Sequence, residues 1–289
     1  MTSIPRRVWN GVARRALRVR FDMRNRVSKA PVTGDGPIVS LTTHGPRLDI
    51  VHLALESIGR GAVRPSRLIL WLGPDDHARP RPPTLRRLVA RGLEVREAVD
   101  LGPHTKYWPL VESEPDRDFV TADDDVFYPR GWLAELRDAG ERVPEAIVCF
   151  RAHVLGVDDM GEAPRIRPYT SWKPCRRTTP SPLHFATGVS GVLYPRTFAH
   201  VIREAGTGFV ERAPRADDVW LHFLAVRSGR AIVQVRPRPL EFLGVPGTRP
   251  TGLYRTNEGG GNDRQIAATY TPDVLALLAA AARGEALVT

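Results

Sequence analysis

The sequence predicts an α/β fold, a single domain with a mainly parallel central sheet flanked by helices, preceded by a basic N-terminal arm. Three observations carry this expectation. Short apolar runs alternate with segments of helical period, the runs close in glycine or polar turns, and one run ends in three consecutive aspartates. At 289 residues the chain is long enough to bury a sizeable core. The expected division is an arm over 1–36, a body over 37–270 and a C-terminal helix and tail over 271–289.

The net charge is +10, and its placement matters more than its size. Nine Arg and Lys side chains within residues 1–30 face one acid, Asp22, which gives +8 there and leaves +2 for the rest. A near-neutral body removes most of the case for a nucleic-acid-binding body. Within the arm, Val8, Trp9, Val12, Ala16, Leu17, Val19 and Phe21 spread over part of a helical wheel among arginines. That pattern fits a helix lying on an anionic membrane surface, or a disordered basic tail. The chain shows no apolar run long enough to span a bilayer, and its first thirty residues lack the apolar core of a secretory signal. Cys149 and Cys175 are too few for a disulfide framework or a zinc cluster. A cytoplasmic setting is expected, peripheral at the inner face of the plasma membrane if the arm binds lipid.

In chain order, Gly34-Asp35-Gly36 reads as a linker and Pro37–Leu41 as a buried strand, followed by the polar loop from Thr42 and Thr43 to Pro46. Leu48, Val51, Leu53, Leu55 and Ile58 fit a helix stopping near Gly59 or Gly61. Arg67–Leu72 is a second strand. A helix around Thr84–Ala90 leads through Gly92 to a third, Leu93–Arg96. This rhythm implies right-handed crossovers between parallel strands. Gly102–Val111 begins a helix that carries Lys106 toward the acidic strand.

Asp118–Val126 is the centre of the argument. A short apolar run with β-branched residues ends in Asp123, Asp124 and Asp125, and like charges this close repel unless a cation neutralises them. Residues one apart on a strand point the same way, so Asp123 and Asp125 can share one hard divalent ion. A solvated acidic turn is the alternative.

Beyond it, Trp132–Leu136 suggests a short helix and Ala146–Phe150 a strand, while 152–186 is proline- and arginine-rich and the least regular part of the body. Thr187–Pro195 reads as a glycine-bearing turn entering a strand. A largely buried helix starts at Asp217 and Asp218. Capping explains one of these two acids, and a carboxylate at a helix start is also a workable general base. After a strand at Ala231–Val235, the glycine-rich segment from Asn257 to Asp263 fits a lid or a linker, and Pro272–Ala282 a closing helix.

In this order Ile38–Thr43, Leu68–Leu72, Lys106, Val120–Asp125, Arg151-Ala152-His153, Thr187–Pro195, Ala216–Trp220 and Gly260–Gln265 resemble the bacterial GT-A glycosyltransferases of capsular and surface polysaccharide biosynthesis. The resemblance implies a GT-A-like (Rossmann-like) fold and a metal-dependent transferase. Such an enzyme moves a sugar from a nucleotide sugar to a glycan or lipid-linked acceptor, with inversion. Asp125 would ligate Mn²⁺ or Mg²⁺, and Asp123 the metal's water shell or the ribose. Thr42, Thr43, Asp124, Arg47 and Lys106 would line the nucleotide side, and Asn262 and Asp263 would close over donor or acceptor. Asp218, or else Asp217, would be the base. His222 lies one turn after Asp218 and could approach the metal, although a buried structural histidine fits the apolar helix better. The arginine-rich stretch from Arg165 to Arg177 and the basic N-terminus are departures from the family. A metal-dependent nuclease or nucleotidyltransferase, and a non-catalytic carbohydrate-binding protein, are the competing classes.

Overall fold

The structure is a computed structural model and describes residues 6–159, 163–248 and 260–285. It is a mixed α/β fold whose main sheet has seven strands, mostly parallel, flanked by helices. The chain gathers into two compact units: the described parts of 1–100, 123–134 and 242–252 in the first, the remainder in the second.

The first unit runs α1 (Arg6–Val27), β1 (Ile38–Thr42), α2 (His52–Gly59), β2 (Leu68–Leu72), α3 (Pro74–Ala78), α4 (Pro83–Val89) and β3 (Leu93–Glu97). Strands β1, β2 and β3 pair in parallel in that spatial order, with Val39 opposite Leu68 and Leu68 opposite Leu93. β2 is buried along its whole length, as its unbroken Leu-Ile-Leu-Trp-Leu run requires. Helix α2 starts later than its apolar pattern predicts, because Gly45–Asp49 first makes a 3₁₀ turn, yet Leu48, Val51, Leu53, Leu55 and Ile58 are all buried.

The N-terminal segment differs from the expected arm. Residues 6–27 form a helix packed into the first unit: Phe21 is fully buried with Leu53, Phe127 and Val245, and Leu17 covers them. Phe21 stacks on Phe127 at 5.5 Å. One turn on, buried Asn25 donates to Glu56 Oε1 and to the Thr84 carbonyl, both at 3.0 Å. Glu56 is itself fully buried and is gripped by Arg91 at 2.5 and 3.1 Å and by Arg24 at 3.1 Å. A carboxylate without water needs such cations, so α1 is tied in by charge as well as by apolar contact. The Gly34–Gly36 stretch is not a linker either. Its amides bond to the Pro65 and Arg64 carbonyls, and a Cβ at Gly36 would meet Val63 at 2.6 Å.

The second unit contains α5 (Trp108–Ser113), β4 (Phe119–Thr121), most of α6 (Trp132–Arg142), β5 (Ile147–Cys149), β6 (Ala152–Val154), β7 (Val157–Asp158), β8 (Arg165–Ile166), β9 (Lys173–Pro174), β10 (His184–Ala186), β11 (Val192–Tyr194), α7 (Arg196–Ala205), α8 (Phe209–Arg212), α9 (Asp217–Arg227) and β12 (Ile232–Gln234). Helices Asn262–Thr269 and Pro272–Arg283 close it. Its share of the main sheet is ordered β12-β5-β11-β4, with β11 antiparallel to both neighbours. The described residues of 152–186, expected to be irregular, form a three-stranded antiparallel sheet β10-β6-β9 and the antiparallel pair β7-β8. Strands of two or three residues fall below what hydrophobic periodicity can signal. Helix α9 is buried from Val219 to Val226, which accounts for its apolar residues on every side. Cys149 and Cys175 are free and buried.

Phe21→Ala removes the ring that joins α1 to Leu53 and Phe127. It should cost about 3–5 kcal/mol in urea unfolding, whereas a dispensable basic tail would show no change.

Candidate functional site

Beyond β4 the chain reaches Asp123, Asp124 and Asp125, which fold with the first unit. Two backbone links fix them there. The Val245 amide donates to the Asp125 carbonyl at 2.7 Å, and the Phe127 amide to Leu243 at 2.9 Å, so this segment runs as a short antiparallel rung. The Asp123 amide donates to the Tyr128 hydroxyl at 2.7 Å.

The three carboxylates have different surroundings. Asp124 is buried and accepts from the Thr43 hydroxyl at 2.5 Å and from Arg47 Nη1 at 2.7 Å. Burial pushes its carboxyl above the usual range, while Arg47 and the Thr43 hydroxyl pull the other way. Arg47 Nη2 also lies 3.4 Å from Asp125 and donates to the Thr248 carbonyl. Asp123 and Asp125 are half-buried and keep a solvent-facing part.

Asp124 thereby anchors the triplet. Arg47 is engaged by protein carboxylates, and Thr43 is the donor to Asp124. The Thr42 hydroxyl donates to the Trp71 carbonyl at 3.0 Å. Among the described residues no three His, Cys, Asp or Glu side chains converge as a metal cage. Two hard carboxylates nevertheless suit Mg²⁺ or Mn²⁺, which is commonly held by one or two protein carboxylates with water and substrate phosphate completing the shell.

The second unit holds the other expected acids. Neither Asp217 nor Asp218 caps α9; the N-cap is Ala216, with no side-chain bond. Asp217 is buried and pairs with Lys106 Nζ at 2.8 Å, so Lys106 has a carboxylate partner. Asp218 is half-buried, and its Oδ1 accepts from the Gly188 amide at 2.9 Å. A Cβ on Gly188 would lie 3.0 Å from Lys106 Nζ and 3.2 Å from Asp218 Oδ1, so only glycine fits between the two without displacement.

His104, not singled out from sequence, holds this corner together. It is fully buried, stacks on Phe209 at 4.1 Å, and bonds the Ala213 carbonyl through Nε2 and the Tyr107 hydroxyl through Nδ1, both at 2.7 Å. Burial pushes it down to about 4 despite the opposing charge of Asp217, so the ring is neutral: Nε2–H donates and Nδ1 accepts. Its only sequence signal was its place two residues before Lys106. His222 is structural in the same way, receiving the Tyr270 hydroxyl at Nδ1 and donating from Nε2 to Pro182; burial lowers it to about 4.

Asn262 and Asp263 do not lie in a loop. They begin the helix Asn262–Thr269, Asn262 is buried, and Asp263 accepts from the Tyr169 amide at 2.7 Å. The preceding residues Asn257, Glu258 and Gly259 lie outside the described residues.

The architecture is a mixed α/β fold with a mostly parallel central sheet, and it resembles a GT-A, Rossmann-like fold. A solved mannosyltransferase from Pyrobaculum calidifontis, PcManGT, in complex with GDP-Man and Mn²⁺, matches with a TM-score of 0.51 over 94% of this chain and 79% of that one, at 14% identity. At that identity the likeness is one of fold. The 2-C-methyl-D-erythritol 4-phosphate cytidylyltransferase from Thermus thermophilus aligns more weakly, with a TM-score of 0.41 at 15% identity over 78% of this chain and 98% of that one. No family model matches the sequence, and no curated protein matches it.

Lys106→Met leaves Asp217 buried and unpaired and should cost about 3 kcal/mol in urea titrations; adding Asp217→Leu should restore most of it. His104 and His222 protonate in the unfolded chain near pH 6.5 but resist it in the fold down to about 4. Stability should therefore fall between those values as pH drops, by up to about 1.4 kcal/mol per pH unit for each histidine. Unfolding midpoints at pH 7, 6 and 5 check this.

Proposed function

We propose that this chain is a glycosyltransferase that takes a sugar from a nucleotide sugar, using Mn²⁺ or Mg²⁺, and passes it with inversion to a glycan or lipid-linked acceptor in surface polysaccharide assembly. The observation that carries the reading is the unequal treatment of the aspartate triplet. Asp124 is locked to Thr43 and Arg47, which leaves its neighbours as the two partly accessible carboxylates. The fold shared with a mannosyltransferase supports the same class.

In this reading Asp125 is the metal ligand and Asp123 serves the metal's water shell or the donor ribose. When bound, the divalent ion supplies Lewis-acid stabilisation of the departing nucleoside diphosphate. The Arg47 and Thr43 contacts keep both outer carboxylates oriented before the donor arrives, an arrangement whose value lies in avoided reorganisation. Asp218 is the general base in preference to Asp217, because Asp217 is buried and paired with Lys106 while Asp218 retains a solvent-facing part. It takes the proton from the acceptor hydroxyl as that oxygen bonds to the anomeric carbon and the bond to the diphosphate oxygen breaks. The Gly188 amide holds Asp218 through its Oδ1.

A panel of nucleotide sugars in thermal-shift assays, with and without Mn²⁺, tests this. One donor should raise the melting temperature in the presence of metal. Asp125→Asn should abolish the metal-dependent part and lower turnover about 10²-fold or more with the fold intact. Asp124→Asn should instead destabilise the protein, since Arg47 loses its closest partner. Full turnover in Asp125→Asn would remove the metal role.

A further inference from the structure

We propose that the outward face of α1 docks on an anionic bilayer surface. The helix has two apolar faces, and only one is used by the fold. Leu17 and Phe21, counted from sequence among the leaflet-facing residues, turn inward, with Asn25 on the same side. On the other side Val12, Val19, Met23 and Val27 follow at intervals of seven, four and four residues, near whole helical turns, and Ala16 falls among them. All five are exposed, the four larger ones by 57–71%. Of the seven exposed large hydrophobic side chains among the described residues, these are four, so the exposure is a local feature of one helix and not ordinary surface scatter.

Charge selects the occupant. At about 100° per residue the stripe occupies an arc of about 80°, with Arg15 and Arg26 along one border and Arg20 along the other. All three arginines are exposed. The helix's one acid, Asp22, lies outside the stripe, one turn before Arg26, where it meets His52 at 2.8 Å and Arg18 at 3.8 Å. An apolar strip bordered by three exposed arginines against one acid matches an anionic lipid surface, with methyl groups entering the acyl boundary and guanidinium groups at the headgroups. A protein groove generally takes bulky anchors, and the described side chains of the stripe are valine, alanine and methionine only. Val12 to Val27 extends about 22 Å, a length suited to lying in the interface; no described helix is long and apolar enough to cross a membrane.

Because α1 is part of the first unit, deleting it would expose Leu53 and Phe127 and confound the test. Point substitutions of exposed residues avoid this. The full chain should sediment with vesicles of phosphatidylcholine and phosphatidylglycerol, and much less with phosphatidylcholine alone. Val19→Ser/Met23→Ser should weaken that partitioning about tenfold without altering the melting temperature or the circular dichroism spectrum. Arg15→Gln/Arg20→Gln/Arg26→Gln should remove the preference for anionic vesicles. The proposal is overturned if the wild-type chain stays in the supernatant with both vesicles, or if Val19→Ser/Met23→Ser sediments as the wild type does. A dimer in analytical ultracentrifugation that the same double substitution dissociates would assign the face to a second copy of this chain, and would also overturn it.

Discussion

A single buried carboxylate organises the first unit's candidate site. Asp124 sits where water cannot solvate it, so the fold must provide a hydroxyl and a guanidinium, and it draws them from the segment just past β1. The Thr43 and Arg47 contacts thereby bind the end of β1 and the following 3₁₀ turn to the acidic segment. The 243–245 rung holds the backbone from its other side. β4 ends at Thr121 and Asp124 and Asp125 lie in the turn beyond it, so the outer carboxylates are placed by that turn and not by strand alternation. The repulsion expected of three adjacent aspartates is relieved by unequal environments: Asp124 is buried against Thr43 and Arg47, Arg47 also reaches Asp125 at 3.4 Å, and Asp123 and Asp125 are half-buried.

The second unit solves a similar problem differently. Asp217 is neutralised by Lys106 in a corner walled by His104, Tyr107 and Phe209, all buried and in mutual ring contact. The neutral His104 ring joins the turn carrying Lys106 to the carbonyl of Ala213, shortly before α9 begins. Gly188 then brings its amide against Asp218, and the neighbouring turn places Ser190 and Gly191 at positive φ before β11 starts. Two acids adjacent in sequence therefore have separate surroundings, Asp217 buried against Lys106 and Asp218 half-buried against the Gly188 amide.

Helix α1 shows how a charged, weakly apolar segment can belong to a core. Its mean composition is that of a basic tail, but one turn-spaced pair, Phe21 and Asn25, reaches buried partners, and Arg24 reaches Glu56. These contacts join the helix to residues from about thirty to more than two hundred positions away. No local pattern in residues 1–30 contains them.

Sequence alone determined the α/β class, the parallel arrangement of β1 to β3, the strand ending in the acidic triplet and the buried helix beginning at Asp217, because each is written in local periodicity and turn chemistry. Continuous apolar runs such as Leu68–Leu72 have few alternatives to a buried strand. Tertiary structure decided which acids are anchors and which are accessible, that Lys106 and Arg47 answer carboxylates, that Asn262 and Asp263 start a helix, and that 152–186 forms small antiparallel sheets. Partner choice for a charge depends on distances across many residues of chain, and strands of two or three residues gain their stability from neighbours and not from their own pattern.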